Sequence, residues 1–194
     1  MDPRVTEFQC IMPMANVPSV LQHGILCYER TAKLNHKSIA MQPVQDRRDV
    51  KRVPGGRMLH QYANLYFHAR NPMMYSRQAE VPNLCVLRVS VTVASLPGVV
   101  FADRNASSDW VRFLDPSQAD VLDFDAIYAM DWTHTDRFEY FARKSKKCAE
   151  VLVPECVEPR FFTGAYVVDE AAAGQLAALE FSLPVQIDPV LFFR

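Results

Sequence analysis

Val44–Tyr75, VQDRRDVKRVPGGRMLHQYANLYFHARNPMMY, interleaves charge and aromatic surface more densely than any other part of the chain. Arg47-Arg48 and Lys51-Arg52 precede a Pro54-Gly55-Gly56 turn. Tyr62, Tyr66 and Phe67 then alternate with apolar residues, and Arg70-Asn71-Pro72-Met73-Met74-Tyr75 closes the stretch. Guanidinium forks match phosphate oxygens, and aromatic faces match bases or nicotinamide. The pattern suits a ligand carrying both phosphates and rings.

The chain of 194 residues is long enough to bury a core as one domain, 1–194. It is 49% apolar and 22% charged, within the range of globular proteins. The five cysteines are odd in number and form no C-x-x-C pair, so neither a disulfide framework nor a zinc ribbon is expected. Free thiols fit a reducing, cytoplasmic setting. No apolar run approaches the roughly 18 residues of a membrane span, and no membrane association is expected. The histidines show no metal spacing, and no metal is expected.

With 21 Lys and Arg against 22 Asp and Glu, the net charge of −1 excludes nucleic-acid binding by bulk electrostatics. Two local basic patches remain: Arg47, Arg48, Lys51, Arg52 and Arg57, then Arg143, Lys144, Lys146 and Lys147. Each reads either as a solvated face or as a phosphate contact.

Strands are expected over 5–11, 65–68, 84–93, 99–102, 148–153, 165–168, 185–187 and 190–193. Asn16 is placed to cap a helix over VPSVLQH, Ser38 to cap a second, and Glu170–Leu179 forms an Ala-rich third. Helical segments are expected near Trp110–Leu114 and within Asp115–Trp132, and Thr133–Lys147 reads as polar and mobile. Interspersed elements without a βαβ rhythm indicate an α+β fold.

Glu150 lies inside the apolar run Cys148–Val153. There it faces solvent, pairs with a cation or lines a site. Alternation puts Glu150 and Leu152 on one face, Val151 and Val153 on the other. By the same rule, one of Tyr66 and Phe67 enters the core and the other is free to line a cleft. Met73 and Met74 fit core filler as readily as a site.

ANVPSVLQHGIL at 15–26, Ser38-Ile39-Ala40 with Val44–Arg48, Val53–Gly56, Leu59–Tyr62 with Leu65–Phe67, and Asn71–Tyr75 resemble the DarT family. Phe101–Ala106 and Lys147–Val153 continue the resemblance in order, across nearly the whole chain. These are DNA ADP-ribosyltransferase toxins of bacterial toxin–antitoxin systems. The resemblance implies an ADP-ribosyltransferase-like fold, two facing split β-sheets with surrounding helices and an NAD cleft. It implies NAD as co-substrate, single-stranded DNA as acceptor, a macrodomain antitoxin as partner, and a monomer.

Carried over by position, Glu150 and Arg48 are the catalytic pair. Cys10, Ile11, Met12, Ser19, Cys27 and Arg48 fall at NAD-contacting positions. Segment 32–50 corresponds to the NAD-covering element, and 105–150 to the loop that presents the target. Arg47, Tyr66, Arg70, Met73, Tyr75 and Asn105 are the candidates for gripping DNA. Asn105 stands where many relatives have histidine. An amide does not titrate near neutral pH, which favours guanine over thymine as the target. A transferase acting on RNA or protein, or a silent nucleic-acid-binding module on the same scaffold, are the alternatives.

Overall fold

In the computed structural model, which describes residues 1–194, Leu84–Ser90 pairs along its whole length with Glu7–Pro13 in antiparallel register. In chain order the elements are β1 (Glu7–Pro13), α1 (Val17–His23), β2 (Ile25–Leu26), α2 (Tyr28–Thr31), α3 (Gln42–Asp49), β3 (Tyr62–Tyr66), α4 (Pro72–Tyr75) and β4 (Leu84–Ser90). There follow β5 (Val100–Ala102), β6 (Phe113–Leu114), α5 (Phe124–Tyr128), α6 (Arg137–Lys146), β7 (Glu150–Pro154), β8 (Cys156–Val157), β9 (Phe162–Val167), α7 (Glu170–Ala177) and β10 (Val185–Ile187). Short 3₁₀ turns join many of them.

The main sheet has the order β10-β9-β4-β1-β3-β7-β5-β6, and β2 pairs separately with β8. Its two halves meet at a single residue pair, Gln9 opposite Tyr66. From Cys10 onward β1 pairs only with β4, while β3 pairs only with β7. The sheet therefore splits into two four-stranded halves with a notch between β1 and β3.

A core of forty buried residues, including Phe8, Leu65, Phe67, Phe101, Val151 and Val153, fills one face of the split region. Phe8, Phe67 and Phe101 meet edge-to-face at 5.1–6.0 Å between ring centroids. On the opposite face Leu152 joins Val53, Leu59, Tyr62, Ala102 and Ala106 in a smaller cluster. The expected alternation in 150–153 holds, and Phe67 enters the core while Tyr66 is half-buried and packs against its margin. No helix is long and apolar enough to cross a membrane.

Several local expectations are corrected. Asn16 precedes α1 but does not cap it; its side chain pairs with the Lys37 backbone instead. Residues 38–41 are not helical, and α3 begins at Gln42 with Pro43 in its first turn. β3 starts and ends earlier than 65–68, at Tyr62 and Tyr66. Val91 and Val93 leave the sheet because the Ser90 hydroxyl accepts from Thr92 N–H and starts a turn.

Residues 110–114 are not a helix. Asp103 accepts from the Arg112 backbone and guanidinium, both at 2.9 Å, drawing Phe113–Leu114 back as β6 beside β5. Thr133–Lys147 contains helix α6, capped by Asp136 and carrying Arg143, Lys144 and Lys146 where a helix C-terminus favours cations. Residues 190–193 form a 3₁₀ turn capped by Asp188 and not a strand.

Candidate active site

Glu150 is the first residue of β7, opposite Tyr66 of β3 on one side and Ala102 of β5 on the other. Directly opposed residues send their side chains to the same face. With Gln9 opposite Tyr66 and Arg88 opposite Gln9, one row across the sheet reads Arg88, Gln9, Tyr66, Glu150, Ala102. Ala102, fully buried in the smaller cluster, ends the row beside the carboxylate. The row crosses the sheet at the head of the notch.

α3 supplies the counter-charge from its last turn. Arg48 Nη1 donates to Glu150 Oε2 at 2.9 Å and Oε1 at 3.2 Å, and the side chains are only 7% and 1% exposed. The Ala106 backbone N–H donates to Glu150 Oε1 at 2.9 Å. A buried carboxylate so held stays an acceptor, which a hydroxyl or an acidic N–H can meet.

The loop bearing Ala106 is itself anchored. Asn105 N–H donates to Ser145 O at 3.0 Å, and Asn105 Oδ1 accepts from Ser107 N–H at 2.9 Å and Ser107 Oγ at 2.7 Å. Arg47 Nε reaches Ser107 Oγ at 3.4 Å, and Lys51 Nζ donates to Ser108 O. The first basic patch thus fastens α3 and its exit to the 105–108 turn.

Burial, and next the charge of Glu150, hold the Tyr66 phenol well above its ordinary value. It remains a neutral donor at any working pH. Burial likewise pushes the Cys10, Cys85 and Cys148 thiols up to about 12, with Glu150 adding to the effect at Cys148. Such thiols stay protonated, which argues against a cysteine nucleophile.

The expected NAD contacts divide by role. Successive strand residues direct their backbone polar groups to alternate edges. Because Cys10–Met12 are paired with β4 alone, part of their backbone faces the notch. Ser19 lines a small cavity with Leu26, Thr31 and Leu34, beneath the 34–41 segment. Asn16 Nδ2 donates to Lys37 O and Asn16 Oδ1 accepts from Lys37 N–H, both at 2.9 Å; Arg77 holds Ile39 O at 2.6 and 2.9 Å. Cys27 is buried, and its backbone is used internally: its N–H donates to Glu155 O, and its carbonyl accepts from Thr31 Oγ1.

The candidates for gripping DNA do not form one group. Tyr66 shares the row of Glu150, Asn105 lies in the turn beside it, and Arg47 reaches that turn from α3. Met73 is half-buried against the core. Arg70 turns inward: Nε donates to Met130 O at 3.1 Å, Nη1 to Val190 O, and the guanidinium lies 3.9 Å above the Phe193 ring. Tyr75 is exposed next to Trp132 and Phe193.

Sequence reasoning missed the Ala106 N–H and the Asn16 clasp. The first had a signal, since Asn105 two residues before Ser107 favours an Asx turn. The second had none, because it joins residues twenty-one apart through a non-helical segment.

A family model described as "ssDNA thymidine ADP-ribosyltransferase, DarT" matches residues 10–193. This chain belongs to the DarT family. Over its full length it is 32% identical to a DNA ADP-ribosyl transferase–DNA ADP-ribosyl glycohydrolase fusion protein of Thermosipho africanus, of which it spans about half, 51%. It is 30% identical to a DNA ADP-ribosyl transferase of a Thermus species, over 78% of this chain and 76% of that protein.

Among solved structures, Thermosipho africanus DarTG in complex with ADP-ribose superposes with a TM-score of 0.83, at 29% identity over 96% of this chain and 51% of that one. Thermus sp. 2.9 DarT in complex with ADP-ribosylated ssDNA gives 0.85, at 23% identity over 98% and 97%. The split sheet described above is thus the ADP-ribosyltransferase-like fold of the DarT family.

Proposed function

We propose that this chain transfers ADP-ribose from NAD to a base in single-stranded DNA, releasing nicotinamide, and acts as a toxin. The observation that carries the reading is the Glu150 carboxylate, buried at the head of the notch and held by Arg48 and the Ala106 N–H, with the Tyr66 phenol on its row. The DarT relatives supply the class of reaction, and the donor set here fits it.

Breaking the nicotinamide–ribose bond passes through an oxocarbenium-like state, as in glycoside hydrolysis. Glu150 offsets that positive charge and accepts a ribose hydroxyl. When a base nitrogen attacks the anomeric carbon, Glu150 takes the proton the nitrogen sheds. Arg48 holds and orients the carboxylate, and its remaining guanidinium nitrogens serve a phosphate or the acceptor. The Cys10–Met12 backbone edge receives the nicotinamide amide. Segment 32–50 covers the dinucleotide, and 105–150 presents the target. A stacked duplex hides the attacking atom, so the acceptor is unpaired DNA.

The guanine expectation rested on Asn105 reading the base. That amide oxygen already accepts twice from Ser107, and the family description names thymidine. Thymine is the acceptor we assign. The fusion protein of Thermosipho africanus joins a transferase to a glycohydrolase, which supports a macrodomain antitoxin that removes the mark as partner of this chain. A cytoplasmic monomer completes the reading.

The test is incubation with NAD and a panel of single-stranded oligonucleotides differing in one base, read by mass. Adducts confined to thymine-bearing strands are expected. An adduct on guanine would overturn the base assignment. Transfer only to parallel RNA or protein acceptors would overturn DNA as substrate, and salt-dependent binding without nicotinamide release would mark a silent module.

A further inference from the structure

α6 lies inside the target-presenting segment, yet none of its ten residues is buried. It nevertheless displays Phe138 at 87% exposure and Phe141 at 53%, three residues apart and therefore on one face. A helix with no fully buried residue that exposes two phenylalanines is built for a surface that covers it.

A series of ring contacts and one hydrogen bond connects this face to α4. Met73, half-buried against the core, begins the connection on α4. Tyr75, of the same helix α4, packs edge-on against Trp132 at 5.6 Å, and both meet Phe193. Trp132 Nε1 donates to the Tyr140 hydroxyl at 3.4 Å, and Tyr140 packs edge-on against Phe141 at 5.3 Å. Cations accompany the rings along α6, with Arg137 5.7 Å from the Phe141 centroid and Lys144 5.7 Å from that of Tyr140. Against Arg137, Arg143, Lys144 and Lys146 the helix sets only Glu139, which pairs with Arg143.

We infer that the exposed rings of this ribbon, Tyr75, Phe138 and Phe141, supported from beneath by the buried Trp132 and the half-buried Tyr140, form a second binding track that holds the single strand beyond its target nucleotide. Rings spaced with cations match successive bases and phosphates, and stacking tolerates any base because each has a π-face. The charge chooses nucleic acid over a neutral protein groove. Phe138 and Phe141 stack flanking bases, Arg137 and Lys144 meet phosphates, and the chemistry at Glu150 is untouched. The inference rests on the proposed transfer to single-stranded DNA.

Two oligonucleotides bearing one target base test it, one of about 4 nucleotides and one of about 16, the span of known single-strand sites. The protein is expected to show a KM for the longer strand lower by about tenfold or more. F138A/F141A narrows that length preference by about tenfold through KM, with kcat on the longer strand kept; F138Y/F141Y restores it. Circular dichroism confirms that α6 persists. An equal effect on both strands, no effect on either, or no rescue by tyrosine overturns the track. So does loss of macrodomain-protein binding with the length preference intact. Should neither strand be modified, the proposed transfer fails separately. Fluorescence anisotropy of the same strands then still decides the track, which equal affinities of wild type and F138A/F141A would overturn.

Discussion

Tyr66 and Glu150 stand directly opposite each other on neighbouring antiparallel strands and leave the sheet on the same face. Tyr66 is thereby a neutral donor fixed beside a buried carboxylate, its phenol held up by burial and by that charge. Tyr66→Phe keeps the ring and removes the donor. In the proposed reaction the phenol donates one hydrogen bond to the bound substrate, and losing about 0.5–1.5 kcal/mol is expected to lower transfer roughly two- to tenfold. Steady-state kinetics on NAD and an oligonucleotide check this. A stacking role alone leaves Tyr66→Phe at wild-type rate.

The Arg48–Glu150 pair separates catalysis from stability. Glu150→Gln keeps the shape and loses the charge that accepts the proton, and transfer is expected to fall by about 10²–10⁴. Arg48→Ala leaves the carboxylate buried without its partner, which costs about 3–5 kcal/mol and appears as a lowered urea midpoint. The double variant Arg48→Met/Glu150→Leu is expected to recover most of that stability while remaining inactive. A double variant as unstable as Arg48→Ala would show that the pair stabilises through something other than compensated charge.

The strand alternation at 150–153 and 65–67 was legible because one face of each strand enters a core, and the period of two then fixes which side chain goes where. Glu150 could be placed on the non-core face that way, but its partner could not. Arg48 lies 102 residues earlier, and periodicity carries no information about which helix end will face a given strand. The misread segments failed for a shared reason. Phe113–Leu114 is a strand only because Asp103 recruits Arg112, and the 190–193 turn is set by the Asp188 cap. In both, a single tertiary or capping contact overrides a weak local preference. α6 was misread because its charged residues, Arg137, Glu139, Arg143, Lys144 and Lys146, outweigh the short Phe138–Phe141 face in a reading by polarity.

Asn16 and Lys37 make a two-point clasp that pins segment 34–41 over α1. Asn16→Ala removes both bonds and leaves the Arg77 hold on Ile39 as the side-chain anchor at the middle of the segment. Amide exchange at residues 34–40 is expected to accelerate, while β1 and β4 keep their protection. If 32–50 covers NAD, KM for NAD rises several-fold and kcat changes little. Faster exchange with an unaltered KM would separate the clasp from dinucleotide binding.

His68 and Lys147 give the protein an acid-sensitive contact next to β7. Lys147 Nζ donates to Ile127 O at 2.7 Å and lies 3.3 Å from His68 Nδ1. Burial first, then the charges of Lys147 and Arg70, bring His68 down to about 3. The Tyr128 ring packs beside it at 5.2 Å without adding charge. Between about 6.5 and about 3 the unfolded chain binds a proton at His68 that the folded chain does not. Stability conferred by neutral His68 is therefore full above about 6.5 and is lost as pH falls toward 3, with a slope of up to about 1.4 kcal/mol per pH unit. His68→Asn keeps an acceptor for Lys147 and cannot titrate. Urea unfolding of both proteins from pH 7 to pH 4 is expected to show the variant losing less stability. Parallel pH profiles would mean that His68 takes up its proton in the folded state at its ordinary value.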